Sequence, residues 1–113
     1  MRCAITGSSG VLGTNFIKQF PNITFLRYEN DLSKKKKLKK WIKSNEFDYF
    51  LHFAAIVPIH QVNKNYQYAK KINYDSVKTI IIELKKKKQN IWFFFHPHLM
   101  FINFPKKILK KIV

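Results

Sequence analysis

Only three glycines occur in 113 residues, and all of them, Gly7, Gly10 and Gly13, fall in one short stretch near the start. Everywhere else the chain must turn without the residue that most readily accepts positive φ or close backbone contact. Cysteine is nearly absent too. A single Cys3 excludes an intramolecular disulfide and a cysteine-based metal site, and fits a reducing cytoplasm. No apolar run reaches the roughly 20 residues that span a bilayer, and no basic segment followed by a long apolar one opens the chain. Neither a membrane span nor export is expected.

Acidic residues are scarce: six stand against 22 Lys and Arg, for a formal charge of +16. Such a balance points first to nucleic acid. However, Lys, Ile, Phe, Asn and Tyr are abundant while Gly, Ala, Arg and Pro are few, as A/T-rich coding would produce in any protein. The runs Lys34 to Lys37 and Lys85 to Lys88 are therefore expected first to form a solvated basic face rather than to bind nucleic acid, with a small basic nucleic-acid-binding module or a truncated product without a function of its own as the alternatives. At this length one domain with a modest core is possible.

What is present is concentrated around the glycines. Cys3-Ala4-Ile5 reads as a short buried strand, and Val11, Leu12, Phe16, Ile17 and Phe20 recur behind it at helical spacing. The stretch from Thr6 to Gly13 thus joins strand to helix. There, glycine permits a sharp turn, close approach of a pyrophosphate to main-chain N–H groups and tight helix-on-strand packing, while the helix N-terminus attracts the anion. A tight βα turn with no ligand is the simpler alternative.

Beyond a break at Pro21-Asn22, Ile23 to Tyr28 reads as a second strand. In a dinucleotide fold its end faces the adenine-side ribose, where an acid suits NAD and an arginine suits NADP. Arg27 and Glu29 both fall there, and Arg27 tips the expectation slightly toward NADP. Asp31 or Ser33 could cap the next helix, whose apolar stripe is Leu38, Trp41 and Ile42. Phe47 to Ala55 has the continuous apolar character of a central parallel strand, with small residues at its end and His52 as a core histidine. A loop over 56–66 leads to a long helix, about Tyr66 to Lys88, faced by Ile72, Val77, Ile80, Ile81 and Leu84. Ile91 to Phe95 is the last clear strand. Alternating strands and helices predict an α/β fold, a Rossmann-like three-layer α/β/α arrangement with a parallel sheet, truncated after about the fifth strand.

The G-x-x-G-x-x-G spacing after Thr6 resembles the extended short-chain dehydrogenase/reductase superfamily, in particular its sugar-nucleotide epimerases, dehydratases and dTDP-4-dehydrorhamnose reductases. Asp31-Leu32-Ser33 is similar to that family's D-[IVL]-[ST] step and His52-Phe53-Ala54-Ala55 to its H-x-A-A strand end. Asn73 falls where the family has a helix asparagine, though Ser76 stands where a glycine is usual. The resemblance covers residues 1 to about 95, a partial NAD(P)-binding domain, and leaves 96–113 as a basic, apolar tail. It implies an NADP or NAD cofactor, a sugar-nucleotide substrate for the full-length family, and cofactor contacts from Gly7, Ser9, Gly10, Val11, Leu12, Gly13, Asp31, Leu32, Phe53, Ala54, Ala55 and Asn73.

In that family a Tyr acts as acid and base, helped by a Lys four residues later, while hydride passes to or from the nicotinamide. Tyr66 with Lys70 and Tyr74 with Lys78 match this spacing, but both precede the strand after which the family's pair falls. A chain so rich in Lys produces such matches by accident, so both pairs read as helix surface, no catalytic residue is assigned, and the isolated chain is expected to be inactive. From His96 to Pro105 the resemblance ends. Codons able to encode that decapeptide can, read one nucleotide earlier, spell S-S-T-S-H-V-Y-K-L-S, similar to the family's next segment. A single-base slip near Phe93 to Phe95 would explain the tail.

Overall fold

A computed structural model describes residues 1–54 and 66–88. The elements run β1 (Arg2–Thr6), α1 (Val11–Gln19), β2 (Thr24–Tyr28), α2 (Lys35–Ser44), β3 (Tyr49–His52), α3 (Tyr66–Lys70), a π-helical turn (Lys71–Asp75) and α4 (Ser76–Lys86). The three strands form one parallel sheet in the order β2-β1-β3, with Ala4 level with Leu26 on one side and Phe50 on the other. This is the α/β/α architecture expected. Ala55, the loop after it, the strand over 91–95, the boundary near 95 and the tail lie outside the described residues.

Strand alternation assigns the layers. Cys3, Ile5 and Leu51 face α1, where Leu12, Phe16 and Ile17 close a core with Phe25 and Phe53. Ala4 and Phe50 face the opposite layer, where α2 and α4 bring Leu38, Ile42, Ile80 and Leu84 together. Burial pushes the Cys3 thiol up to about 12, so it is an inert core group. No described helix is long and apolar enough to cross a membrane.

Two local expectations need correction. Neither Asp31 nor Ser33 caps α2, whose N-cap is Lys34 without a side-chain hydrogen bond. Asp31 lies too far upstream. Its carboxylate accepts from the Ser33 N–H at 2.9 Å, and its carbonyl from the Lys34 N–H at 3.1 Å, so it closes a turn before the helix begins. The long helix is not uniform either. Ile72, Ser76, Ile80 and Leu84 are all buried, and such a four-by-four row drifts around an α-helix. The wider π turn opposes that drift, the Ser76 N–H bonding back to the Lys71 carbonyl and its hydroxyl to that of Ile72.

Polar contacts lock α2 against α4. The fully buried Glu83 carboxylate lies 3.5–3.9 Å from the ammonium groups of Lys39, Lys43 and Lys86. Lys87 donates to the carbonyls of Ile42 at 2.7 Å and Asn45 at 2.6 Å, satisfying the C-terminal end of α2, and sits 4.8 Å from the Phe47 ring centre. Replacing Lys87 with Met should lower unfolding free energy in urea by about 1–3 kcal/mol. Lys85→Met, at an exposed position, should change it by less than about 0.5 kcal/mol. Equal effects of the two would remove this role from Lys87.

Candidate functional site

At the carboxyl end of β1 the chain passes directly into the glycine turn. Gly7 has φ +71°, and a Cβ there would come within 2.6 Å of the Ala54 nitrogen and 2.7 Å of the Phe53 carbonyl carbon. No other residue satisfies both conditions. A Cβ on Gly13 would run into the Gly7 carbonyl oxygen and come within 2.9 Å of Ser8 Cα, so α1 presses onto the turn only because position 13 is bare. Gly10 is different. Its backbone is extended, with φ −75° and ψ 174°, and a Cβ there would meet only the Gly7 oxygen, at an ordinary 3.5 Å. The polypeptide itself does not require glycine at position 10. A bare residue there matters when another molecule must approach the main chain.

Gly10 is the N-cap of α1, with no side-chain cap and no acidic residue in the first turn. The helix thus supplies no side chain of its own to its N-terminal N–H groups or to the positive end of its dipole. Thr14 holds the turn in place, its hydroxyl donating to the Ser8 carbonyl at 3.1 Å. Thr6 ties β1 to β3 behind it. Its carbonyl accepts from the Phe53 N–H at 3.1 Å, its hydroxyl from the Ala54 N–H at 3.4 Å, and the same hydroxyl lies 2.6 Å from His52 Nδ1. His52 is wholly buried, and desolvation lowers its pKa to about 4.

A cavity of about 360 Å³ opens in front of these groups. Thr6, Gly7, Ser8 and Ser9 form one wall, the end of β2 supplies Tyr28, Glu29, Asn30 and Leu32, and Ala54 completes it from beyond β3. The cavity thus lies at the carboxyl edge of the parallel sheet, where open α/β folds bind ligands. It is elongated in chemistry: main-chain donors at the glycine end, then Tyr28 and Leu32 with the Glu29 carboxylate. Beside it, the Ser33 N–H holds the Asp31 carboxyl below its usual pKa, with help from the Ser33 hydroxyl and Tyr68. The Tyr68 hydroxyl donates to the same carboxylate at 3.4 Å.

Of the residues singled out in the sequence, Gly7, Ser9, Leu32 and Ala54 line the cavity. Gly10 and Gly13 are not in the lining but pack against Gly7 and Ser8, which are. Val11 is exposed, Leu12 packs beneath α1, and Phe53 is buried with its ring 5.5 Å from that of Phe16. Arg27 is an exposed residue within β2, opposite Ile5, and does not line the cavity, whereas Glu29 does. Asn73 lies in the π turn, away from the lining. Tyr74 and Lys78 are both exposed, with Lys78 Nζ 5.4 Å from the Tyr74 ring centre, which is helix surface. Thr6, Ser8, Tyr28 and Asn30 also line the cavity; none of them is among the contacts expected from the sequence, although Thr6 and Ser8 belong to the glycine stretch. Among the described residues no group of His, Cys, Asp and Glu could hold a metal ion.

No protein-family model matches the sequence, nor does any curated protein. Solved structures do. A hypothetical dTDP-4-dehydrorhamnose reductase from Sulfolobus tokodaii superposes with a TM-score of 0.74 at 24% identity, over 82% of this chain and 38% of its own. The UDP-glucose 4-epimerase of Thermotoga maritima gives 0.71 at 14% identity, over 82% and 37%. A dTDP-4-dehydrorhamnose reductase of Clostridium acetobutylicum gives 0.73 at 22%, over 80% and 34%. The chain shares the Rossmann-like α/β fold of these structures. It spans little more than a third of the length of these structures.

Burial of His52 has a consequence for acid stability. With a folded-state pKa of about 4 against an unfolded value near 6.5, the unfolded chain binds the extra proton between those limits. Stability is thus retained above about pH 6.5 and lost as pH falls toward 4, by roughly 3 kcal/mol from this residue. Urea unfolding of His52→Asn should show a shallower loss than wild type across that window. Parallel pH profiles would contradict the assignment.

Proposed function

We propose that this chain is the dinucleotide-binding part of a sugar-nucleotide reductase, epimerase or dehydratase of the extended short-chain dehydrogenase type. The carrying observation is Gly10, bare at an uncapped helix N-terminus although the polypeptide tolerates a side chain there. A diphosphate is the ligand that this combination suits. Main-chain amides around Gly7, Gly10 and Gly13, with Ser9, would hold it, the Gly10 N–H itself being given to the Gly7 carbonyl at 3.2 Å. The adenosine end would lie toward Tyr28, Asp31 and Leu32, and the nicotinamide end toward Phe53 and Ala54. Bound there, the cofactor would supply hydride transfer.

Glu29 in the cavity lining supports NAD rather than the NADP expected from Arg27, since a carboxylate accepts from a ribose hydroxyl and repels a 2′-phosphate. Among the described residues no Tyr–Lys pair lines the cavity, so their proposed part is to bind and orient the cofactor, with no proton-transferring residue assigned to them. Asn73, at the π turn, is proposed to help organise the proton relay.

Calorimetric titration with NADH and NADPH tests the reading. NADH should bind more tightly, and Glu29→Ser should narrow the difference. Gly10→Ala should cost no more than about 1 kcal/mol of stability, as expected of an N-cap change, yet weaken NADH by about tenfold or more. Wild-type affinity in Gly10→Ala would defeat the proposal, and tighter NADPH binding would defeat the choice of NAD.

A further inference from the structure

Lysine is distributed unequally between the two helical layers. The α2 helix carries six lysines in its ten residues and no acidic side chain, whereas α1, on the other face of the sheet, carries Lys18 alone in nine. A bias in coding composition would load exposed positions of both helices alike. Packing then joins sequence-distant runs. Leu38 and Ile42 share a core with Ile80 and Leu84, and the two helices together place Lys35 and Lys39 of α2 in one groove with Lys78 of α4. The acid of α4, Glu83, is fully buried and already attended by Lys39, Lys43 and Lys86.

Between the two helices runs a groove of about 300 Å³, lined by Lys35, Lys39 and Lys78 together with Thr79, Ile82, Asp75 and Glu83. Among the described residues neither Lys35 nor Lys78 has a carboxylate within salt-bridge distance. Tyr74 stands exposed on the same helical segment, next to Lys78, with Ile82 exposed further along. A cationic track beside an exposed aromatic ring is the chemistry that holds a flexible polyanion with unstacked bases.

We infer that the layer formed by α2 and α4 binds single-stranded nucleic acid, its phosphates following the groove lysines and a base resting against Tyr74. This surface is separate from the cavity at the carboxyl edge of the sheet, so the inference is independent of dinucleotide binding. Lysine contacts phosphate as a point charge without bidentate geometry, which makes the recognition indifferent to sequence. An acidic bilayer is the poorer partner, because an interfacial helix needs a broad apolar face and the exposed large apolar side chains here are few.

The test is fluorescence anisotropy with a labelled 20-nucleotide oligothymidine, from 50 to 300 mM NaCl. Binding should weaken steeply with salt. Replacing Lys35, Lys36, Lys40 and Lys78 by Gln removes exposed charges and spares every lysine that contacts Glu83. That variant should lose about tenfold or more at 100 mM NaCl, and its log–log salt slope should fall by about 3, near 0.7 per lost phosphate contact. A control removing exposed charges outside α2 and α4, at Arg2, Lys18 and Arg27, should lose no more than about twofold. Tyr74→Ala should weaken binding severalfold while Tyr74→Phe retains it, with circular dichroism confirming that each variant is folded. Equal losses in the groove variant and the control variant, equal affinity for a duplex of the same length, or binding to phosphatidylserine vesicles but not to the oligonucleotide would each overturn the inference.

Discussion

The contact on which the structure depends is the one between Gly7 and the backbone of Phe53 and Ala54. At 2.6 Å from where a Cβ would stand, the amide of Ala54 leaves no space for any side chain at position 7. Closing β1 against the end of β3 in this way aims the following residues outward, and the Thr6 hydroxyl secures the same junction from inside the sheet. Gly13 then lets α1 settle on the turn. Everything the cavity offers, from amides on one wall to the end of β2 on the other, follows from that closure. A crowded junction at Gly7 and Gly13 lies beside an open one at Gly10, a contrast that a turn needed only for folding would not require.

Much of this was legible in the sequence because each element carries its own pattern. Cys3 and Ile5 alternate with Ala4 across the sheet, Leu12, Phe16 and Ile17 repeat at helical spacing, and glycine occurs nowhere but the turn. Harder to see were features set by tertiary geometry. The Asp31 carboxylate is a good helix cap in the abstract, yet it is consumed by a turn that closes first. The π turn around Asn73 leaves periodicity almost unchanged and only shows in which carbonyl the Ser76 amide reaches. Arg27 and Glu29 are two residues apart, and only the path of the chain after β2 decides which carboxylate or guanidinium meets the cavity.

Charge supplies the other contrast. A net +16 is a property of composition, and its placement is a property of packing. Because α2 and α4 share one core, lysines half the chain apart gather on one layer, with Glu83 buried beneath as their counterion. The opposite layer is held by aromatic contacts, Phe16 against Phe20 at 4.7 Å and Phe25 at 6.1 Å, and its helix α1 carries Lys18 as its one charged residue. Cavity and basic layer thus occupy different regions of the molecule and can be probed separately.

The most direct measurement of the central claim is a ¹⁵N–¹H correlation spectrum of the labelled chain during titration with ADP-ribose, which carries the diphosphate and adenosine without the nicotinamide. The account predicts that the amides of Ser8, Ser9, Gly10 and Val11 move most, followed by residues at the end of β2, while those of α4 stay in place. Unchanged amides through the glycine turn at saturating ligand, or the largest shifts on α2 and α4, would contradict it.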